Sequence, residues 1–447
     1  MPDIRTFKSQ FDKTVQHDQK RQAIISAASH LLNRQGSRAT TLLEIARALN
    51  VTKTSLYYYV KNKQDLIYLC YQATYDSLDR LFLEVESSSG TGLEQLETTV
   101  RKYVHNWRDI QLGRAPETAI PYEISALKLE HQQPISDRYR SLTARVQTMV
   151  NNGIKDGSLG KRNALRTAHA FLNSLRWSAV WLNIRGVEHA DESCEHMIQI
   201  LRAGLASGDL PESTPLSFHG WDTDVVPGFD KDAQTRLKQI AFLQTGTAFL
   251  NARGFRGTSL DDIAKHLNVT KGAFYYYIES KDELLLECFE RTFEIFHRVL
   301  NSAESAGQSG LDSLHLALGQ LFAIQNGDRG PLIRFTLVSA FSADRREPLY
   351  ADIIKVCGRI SQLIDAGQAD GSIQKVDSFV ATHMIMGAIN TSDDLQNWEE
   401  IDDLSSASED YFQFLLRGLM PRTATSRSIG SQRVTVQDST RSAENRA

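Results

Sequence analysis

The chain has 447 residues, 41% hydrophobic and 23% charged, with a formal net charge of −4. That length leaves room for two to four domains, and the composition excludes collagen-like, coiled-coil-only and wholly disordered chains. No apolar run reaches the roughly 18 residues of a membrane span, and Met1 to Lys20 is too polar for a signal peptide. Four cysteines, Cys70, Cys194, Cys288 and Cys357, lie far apart without paired spacing, so neither a zinc site nor a disulfide framework is expected. A reducing cytoplasm suits such a chain.

In chain order, the first predicted element is a helix with Ile24, Ala27, Ala28, Leu31 and Leu32 on one face, ending at Gly36. Thr41 then caps a short helix, with Glu44 three residues on as in a capping box and Leu42, Ile45, Ala46 and Leu49 facing inward. Asn50-Val51 makes a tight turn, since Asn tolerates positive φ. Thr52 or Lys53 opens a third helix running to about Tyr59. Two short helices joined by a tight turn form a helix-turn-helix, whose second helix fits the DNA major groove. Beyond it, Tyr68, Tyr71, Tyr75, Leu78 and Phe82 recur at helical spacing.

The chain then repeats itself. Leu32–Leu66 matches Leu250–Leu284 without a gap: Asn50-Val51-Thr52-Lys53 recurs as Asn268-Val269-Thr270-Lys271, and Tyr57-Tyr58-Tyr59 as Tyr275-Tyr276-Tyr277. Further on, Asp156-Gly157-Ser158 answers Asp370-Gly371-Ser372, His169 answers His383, and Gly204-Leu205 answers Gly418-Leu419. Duplication of a unit of about 200 residues is the economical explanation. Between the copies, Pro211, Pro215 and Pro227 with Gly208, Gly220 and Gly228 read as an irregular linker. The Ser-, Thr- and Arg-rich end after Met420 reads as disordered.

The run Thr41 to Lys63, with its copy Ser259 to Lys281, resembles the N-terminal domain of TetR-type transcriptional regulators. The resemblance implies an all-α chain of two units, each a three-helix DNA-binding head followed by a helical ligand-binding and dimerisation domain. The corresponding boundaries are 20–66 and 67–206, a linker over 207–235, then 236–285, 286–420 and a tail over 421–447. The family normally supplies two subunits as a homodimer, whereas here both lie in one chain. The implied function is a sequence-specific regulator, a repressor released from double-stranded operator DNA by a small apolar or aromatic effector. The last helices, near Ala164–Leu182 with Glu192–Leu205 and Phe379–Asn390 with Ser408–Leu419, correspond to the dimerisation bundle. They are expected to pair inside the chain, with room left for further homo-oligomers. A linker of about 25 residues extends to about 80 Å, against a spacing of roughly 34–36 Å between successive major grooves.

Charge supports the DNA reading. Residues 20–66 carry eight Lys or Arg against two acids, net +6, and residues 236–285 carry seven against five, net +2, which leaves −12 elsewhere. Expected DNA contacts are Thr41 and Ser259 at helix N-termini, Lys63 and Lys281 on the backbone, and Tyr57 and Tyr275 on phosphate or sugar. Lys53, Thr54 and Ser55, with Lys271, Gly272 and Ala273, lead the recognition helices toward base edges. Tyr58, Tyr59, Tyr276 and Tyr277 are further candidates, and the sequence leaves open which rings point outward. The plainer reading makes Thr41 and Ser259 simple caps, the tyrosines core and the lysines solvated. Leu56 and Phe274 belong to the core on either reading.

An effector pocket, if lined by aromatics, would draw on Tyr103, Trp107, Tyr122 and Trp177 in the first unit and Phe322, Phe335, Phe341 and Met384 in the second, each of which also suits plain core. No P-loop, paired metal-ligand spacing or nucleophile elbow appears, so neither an enzyme nor a cofactor is expected. The rival reading is a DNA-binding architectural or protein-controlled factor with no small-molecule effector.

Overall fold

The computed structural model describes residues 4–121, 124, 127–211 and 231–422. Tyr122, most of the linker and all but the first two residues of the expected disordered tail lie outside them. Among the described residues the chain is all-α, with no strand beyond one isolated bridge between Ala206 and Ile373.

The first unit contains α1 (Ile4–Ala39), α2 (Leu42–Ala48), α3 (Lys53–Tyr57), α4 (Lys63–Ser87), α5 (Gly92–Gln111), α6 (Leu129–Asp156), α7 (Ala164–Arg185) and α8 (Ala190–Ala203). The second repeats the order as α9 (Lys231–Gly257), α10 (Leu260–His266), α11 (Lys271–Tyr275), α12 (Lys281–Ala306), α13 (Gly310–Asn326), α14 (Ala343–Asp370), α15 (Ser378–Asn390) and α16 (Leu404–Arg417). The leading helix of each unit starts earlier than the apolar stripe indicates, at Ile4 and at Lys231. Neither added stretch contains Pro or Gly, so nothing in it breaks the helix.

Each head is built by the same local rules. α1 breaks at Gly36 and α9 at Gly254, both at positive φ. Asn50 and Asn268 sit in the turn at φ 52° and 54°, the left-handed conformation that redirects the chain from α2 into α3 and from α10 into α11. Leu56 and Phe274 are fully buried beneath the recognition helices. Long α4 and α12 carry the apolar stripe onward: Tyr71, Tyr75 and Phe82 are buried in one, Phe289, Phe293, Phe296 and Leu300 in the other.

The repeated Asp-Gly-Ser has a structural task. At the end of α6, Asp156 Oδ2 and Ser158 Oγ accept the amides of Gly92 (2.8 Å) and Leu93 (3.2 Å) at the start of α5. Asp370 and Ser372 do the same for Gly310 (2.7 Å) and Leu311 (3.1 Å). Each motif thus satisfies amides that have no partner within their own helix, and places a carboxylate at the positive helix end. Hydrogen bonds from the Ser158 and Ser372 side chains, then from the amides of Gly92 and Gly310, hold both Asp carboxyls below their usual range.

The two units meet along α7 with α15 and along α8 with α16. Contacts across the join are reciprocal. Leu205 N donates to Leu415 O (2.9 Å) while Leu419 N donates to Leu201 O (2.8 Å). Ala206 N to Leu416 O (2.9 Å) is matched by Met420 N to Arg202 O (3.1 Å), and Gly160 N to Leu419 O by Gln374 N to Leu205 O, both 2.9 Å. Each pair is related by an offset of 214 residues, the pattern of a two-fold isologous contact. At its centre Gly204 and Gly418 cross backbone to backbone, both at φ 73°. A Cβ on Gly204 would lie 2.5 Å from Arg417 C and Leu416 O, and one on Gly418 would lie 2.6 Å from Gly204 N.

Side chains reinforce the join. Ser174 Oγ donates to Met384 O (2.8 Å), Arg166 binds Glu399 (2.6 Å) and Asp410 (3.0 Å), and Arg185 binds Asp377 (2.7 Å). These ion-pair residues are partly buried, which screens the pairs less than at an open surface, where such pairs have small net effect.

The crossing makes a stability prediction. Gly204→Ala combines an unfavourable φ with a collision against main chain and should cost on the order of 2–4 kcal/mol. Gly208→Ala, with nothing within 4 Å, is the control and should be near neutral. Urea unfolding followed by tryptophan fluorescence compares them; equal midpoints for the two variants would contradict the close crossing.

Candidate DNA-binding surface and cavities

Thr41 closes a complete capping box: its hydroxyl accepts Glu44 N (3.2 Å) and Glu44 Oε2 accepts Thr41 N (2.8 Å). Such a box is worth about 1 kcal/mol and fixes the start of α2. The bond to Thr41, chiefly, lowers the Glu44 pKa. In the second head Ser259 occupies the same cap but makes no side-chain cap bond. One hydroxyl is therefore committed to its own helix and the other is not.

The recognition helices are capped by Thr52 and Thr270, whose hydroxyls each accept an amide three residues on, Ser55 N and Ala273 N (both 3.2 Å). Lys53, Thr54 and Ser55 are exposed, as are Lys271, Gly272 and Ala273. Exposure settles the ring directions. Tyr58 and Tyr276 are 78% and 81% exposed, Tyr57 and Tyr275 are 49% and 42% exposed, and Tyr59 and Tyr277 are half-buried. Tyr59 packs against His17 at 4.8 Å and Tyr277 against Phe242 at 5.6 Å.

Lys63 and Lys281 point back into their own heads. Lys63 Nζ donates to Arg38 O (3.3 Å), and Lys281 Nζ donates to Thr258 O (3.0 Å) with the Phe255 ring 4.6 Å away. Each ties the start of the fourth helix to the corner before the helix-turn-helix. Burial, with Arg38 and Arg256 nearby, lowers the Lys281 pKa.

The heads differ most at the first residue of the recognition helix. Lys271 Nζ lies 2.5 Å from Asp261 Oδ2, a bond that raises the lysine pKa. In the first head the position matching Asp261 is Leu43, and Lys53 instead lies 5.8 Å from the Tyr57 ring. The heads also touch each other. Arg38 binds Asp282 (2.8 Å) and Ala340 O (3.1 Å) and lies 4.9 Å from the Phe255 ring, while Arg256 donates to Ser37 O (3.2 Å). Arg38 and Arg256 were legible as repeated residues, but only folding brings them together.

Two cavities lie away from this surface. The larger, about 650 Å3, is lined by both units, with Trp177, Tyr139 and Arg176 from the first and Arg334, Asn390 and Trp398 from the second. A smaller one of about 70 Å3 is lined by Tyr103 and Trp107. Phe322, Phe335, Phe341 and Met384 line neither cavity. Phe322 packs on Tyr411 at 5.3 Å, Phe335 and Phe341 pack on Phe289 at 6.4 and 6.0 Å, and Met384 lies in the join beside Ser174. Among the described residues no group of three or more His, Cys, Asp or Glu could hold a metal ion, and no helix is long and apolar enough to cross a membrane.

A family profile described as "Bacterial regulatory proteins, tetR family" matches residues 24–68 and again 242–288. A second, "Tetracyclin repressor-like, C-terminal domain", matches 89–205. The chain is similar to the HTH-type transcriptional repressor KstR2 of Rhodococcus jostii (strain RHA1), 24% identical over 201 residues, which span 44% of this chain and 96% of that protein. It is similar also to the uncharacterized HTH-type transcriptional regulator YuxN of Bacillus subtilis (strain 168), 35% identical over 65 residues, 14% of this chain and 22% of that one. Among solved structures, the ketosteroid transcriptional regulator KstR2 of Mycobacterium tuberculosis aligns with 40% of this chain and 92% of its own, at 19% identity and a TM-score of 0.36.

The Asp261–Lys271 pair predicts an effect on salt dependence. Asp261→Asn releases one cation at the DNA surface, so the slope of log K against log salt should steepen by about one unit. Fluorescence anisotropy with labelled duplex between 50 and 200 mM salt reads this. An unchanged slope would place Lys271 away from the phosphates.

Proposed function

Because the chain belongs to the TetR family of bacterial transcriptional regulators, twice over, we propose that it is a repressor whose two units act as an intrachain pseudo-dimer on one operator and release it when a small molecule binds. DNA binding and regulation are the family's shared business; the pairing and the effector are particular to this reading. The observation that carries the pairing is the reciprocal set of main-chain bonds about Gly204 and Gly418. A contact that repeats itself under exchange of the two units is what a homodimer interface would leave after fusion.

Thr41, Lys53, Thr54, Ser55, Tyr57 and Tyr58 in one head, and Ser259, Lys271, Gly272, Ala273, Tyr275 and Tyr276 in the other, are assigned to the DNA. All of these except the half-buried Ser259 are exposed, which supports the assignment. Lys63 and Lys281 keep a place at the phosphates through the helix start they secure, with their ammonium groups shared with a carbonyl. Of the pocket candidates, Trp177 is assigned to the effector site, because it alone of those among the described residues lines the larger cavity. That cavity favours effector control over an architectural factor with no ligand, since its volume falls in the range of small-molecule sites.

Two unlike recognition helices should read two unlike half-sites. Lys53-Thr54-Ser55 presents hydroxyls and an ammonium with no ion pair among the described residues, whereas Lys271-Gly272-Ala273 presents a methyl and a lysine bound by Asp261. Selection of bound sequences from random duplex should therefore return an imperfect palindrome. Recovery of two identical, equally strong half-sites would contradict the assignment.

A further inference from the structure

The larger cavity straddles the join between the units, and its walls come from matching positions. Asn173, Arg176 and Trp177 line it from α7; Gly387, Asn390 and Thr391, each 214 residues later, line it from α15 and the residue after it. A homodimer would present the same side chains on both walls. Duplication has let the walls diverge, so one carries a cation and an indole where the other carries an amide and a hydroxyl.

The lining sets three arginines, Arg140, Arg176 and Arg334, against two carboxylates, Asp393 and Asp394, and it also holds donors without a partner. Trp177 Nε1, Asn390 Nδ2 and Arg334 Nε are buried donors without a hydrogen-bond partner, and Thr391 Oγ1 is also unpaired. The amide of Asn390 is oriented by its own oxygen, which accepts Phe335 N at 2.8 Å. Buried donors are nearly always satisfied in native proteins, so partnerless donors on both walls of one cavity leave a place for an acceptor. Charge points the same way. Arg334 is neutralised by Asp393 (3.1 Å) and Asp394 (2.5 Å). Arg176 makes no ion pair among the described residues; its guanidinium lies 5.0 Å from the Tyr139 ring, and Asp394, which attracts it at longer range, is already held by Arg334.

We propose that this cavity is the binding site for a single small organic carboxylate per chain, its anionic end held by Arg176 with Asn390 and Trp177, its apolar body against Trp177 and Trp398. A carboxylate supplies two strong acceptor oxygens and the one negative charge that the wall lacks, and a planar body can lie against the indoles. Because the ligand contacts both α7 and α15, its binding is coupled to how the units sit against each other. The site deepens the effector-controlled reading above and rests on it for its regulatory meaning.

Calorimetric titration of the full chain without DNA tests the site, with benzoate, phenylacetate and decanoate each compared with its primary amide. At least one acid should bind at one per chain, with its amide at least tenfold weaker. Arg176→Gln should weaken the acid at least tenfold and leave the amide unchanged, and Arg176→Lys should restore part of the loss. Acids and amides binding alike, two acids per chain, or no titration by any acid at millimolar concentration would overturn the proposal. If Arg176→Gln fails to fold, as judged by circular dichroism, the acid–amide ratio and the stoichiometry still decide. Operator release is read separately by anisotropy. An acid that binds one per chain yet leaves operator affinity unchanged removes the effector reading while the site stands. Release of the operator only by ligands without a carboxylate does the reverse.

Discussion

Everything in this molecule hangs on two helix ends crossing with no side chain between them. Gly204 and Gly418 bring the α8 and α16 termini close enough for reciprocal main-chain hydrogen bonds to pass from one unit to the other. Backbone groups at helix ends need partners outside their helix, and here each unit supplies the other's. That contact aligns α7 with α15, which in turn creates the shared cavity and carries the partly buried ion pairs of Arg166 and Arg185. The heads touch each other at Arg38 and Asp282.

Fusion removes the constraint that a homodimer's two halves be identical. The consequences appear where matching positions have drifted apart: Asp261 for Leu43, Ser259 for Thr41, Asn390 for Arg176. Each change alters one electrostatic or hydrogen-bonding element without disturbing the main-chain contacts that join the units. A single chain also holds its partner at fixed stoichiometry, so assembly does not depend on protein concentration as it does for separate subunits.

The heads were legible in the sequence because their determinants are local. Thr41 with Glu44, Asn50 at the turn and Leu56 beneath the recognition helix act within a few residues of one another, and periodicity or a capping pattern reports them directly. The order of helices and the duplication were legible for the same reason. Ring directions at Tyr57, Tyr58 and Tyr59 were not, since a short helix gives too few turns to define a face. Nor was the pocket: Phe322, Phe335 and Phe341 carry the same apolar signal as any core residue and pack as core. Arg176 and Asn390 meet across a cavity only because 214 residues of chain fold back on themselves, and no local pattern encodes that. Asp261 with Lys271, ten residues apart, needed the turn geometry of the folded head.

The central claim is that one chain does the work of two subunits. Native mass spectrometry of the full chain on its selected operator tests it most directly. The account predicts a complex of one chain with one duplex, both half-sites protected in a footprint of the same sample. A complex that requires two chains per duplex, with one half-site protected by each, would contradict it.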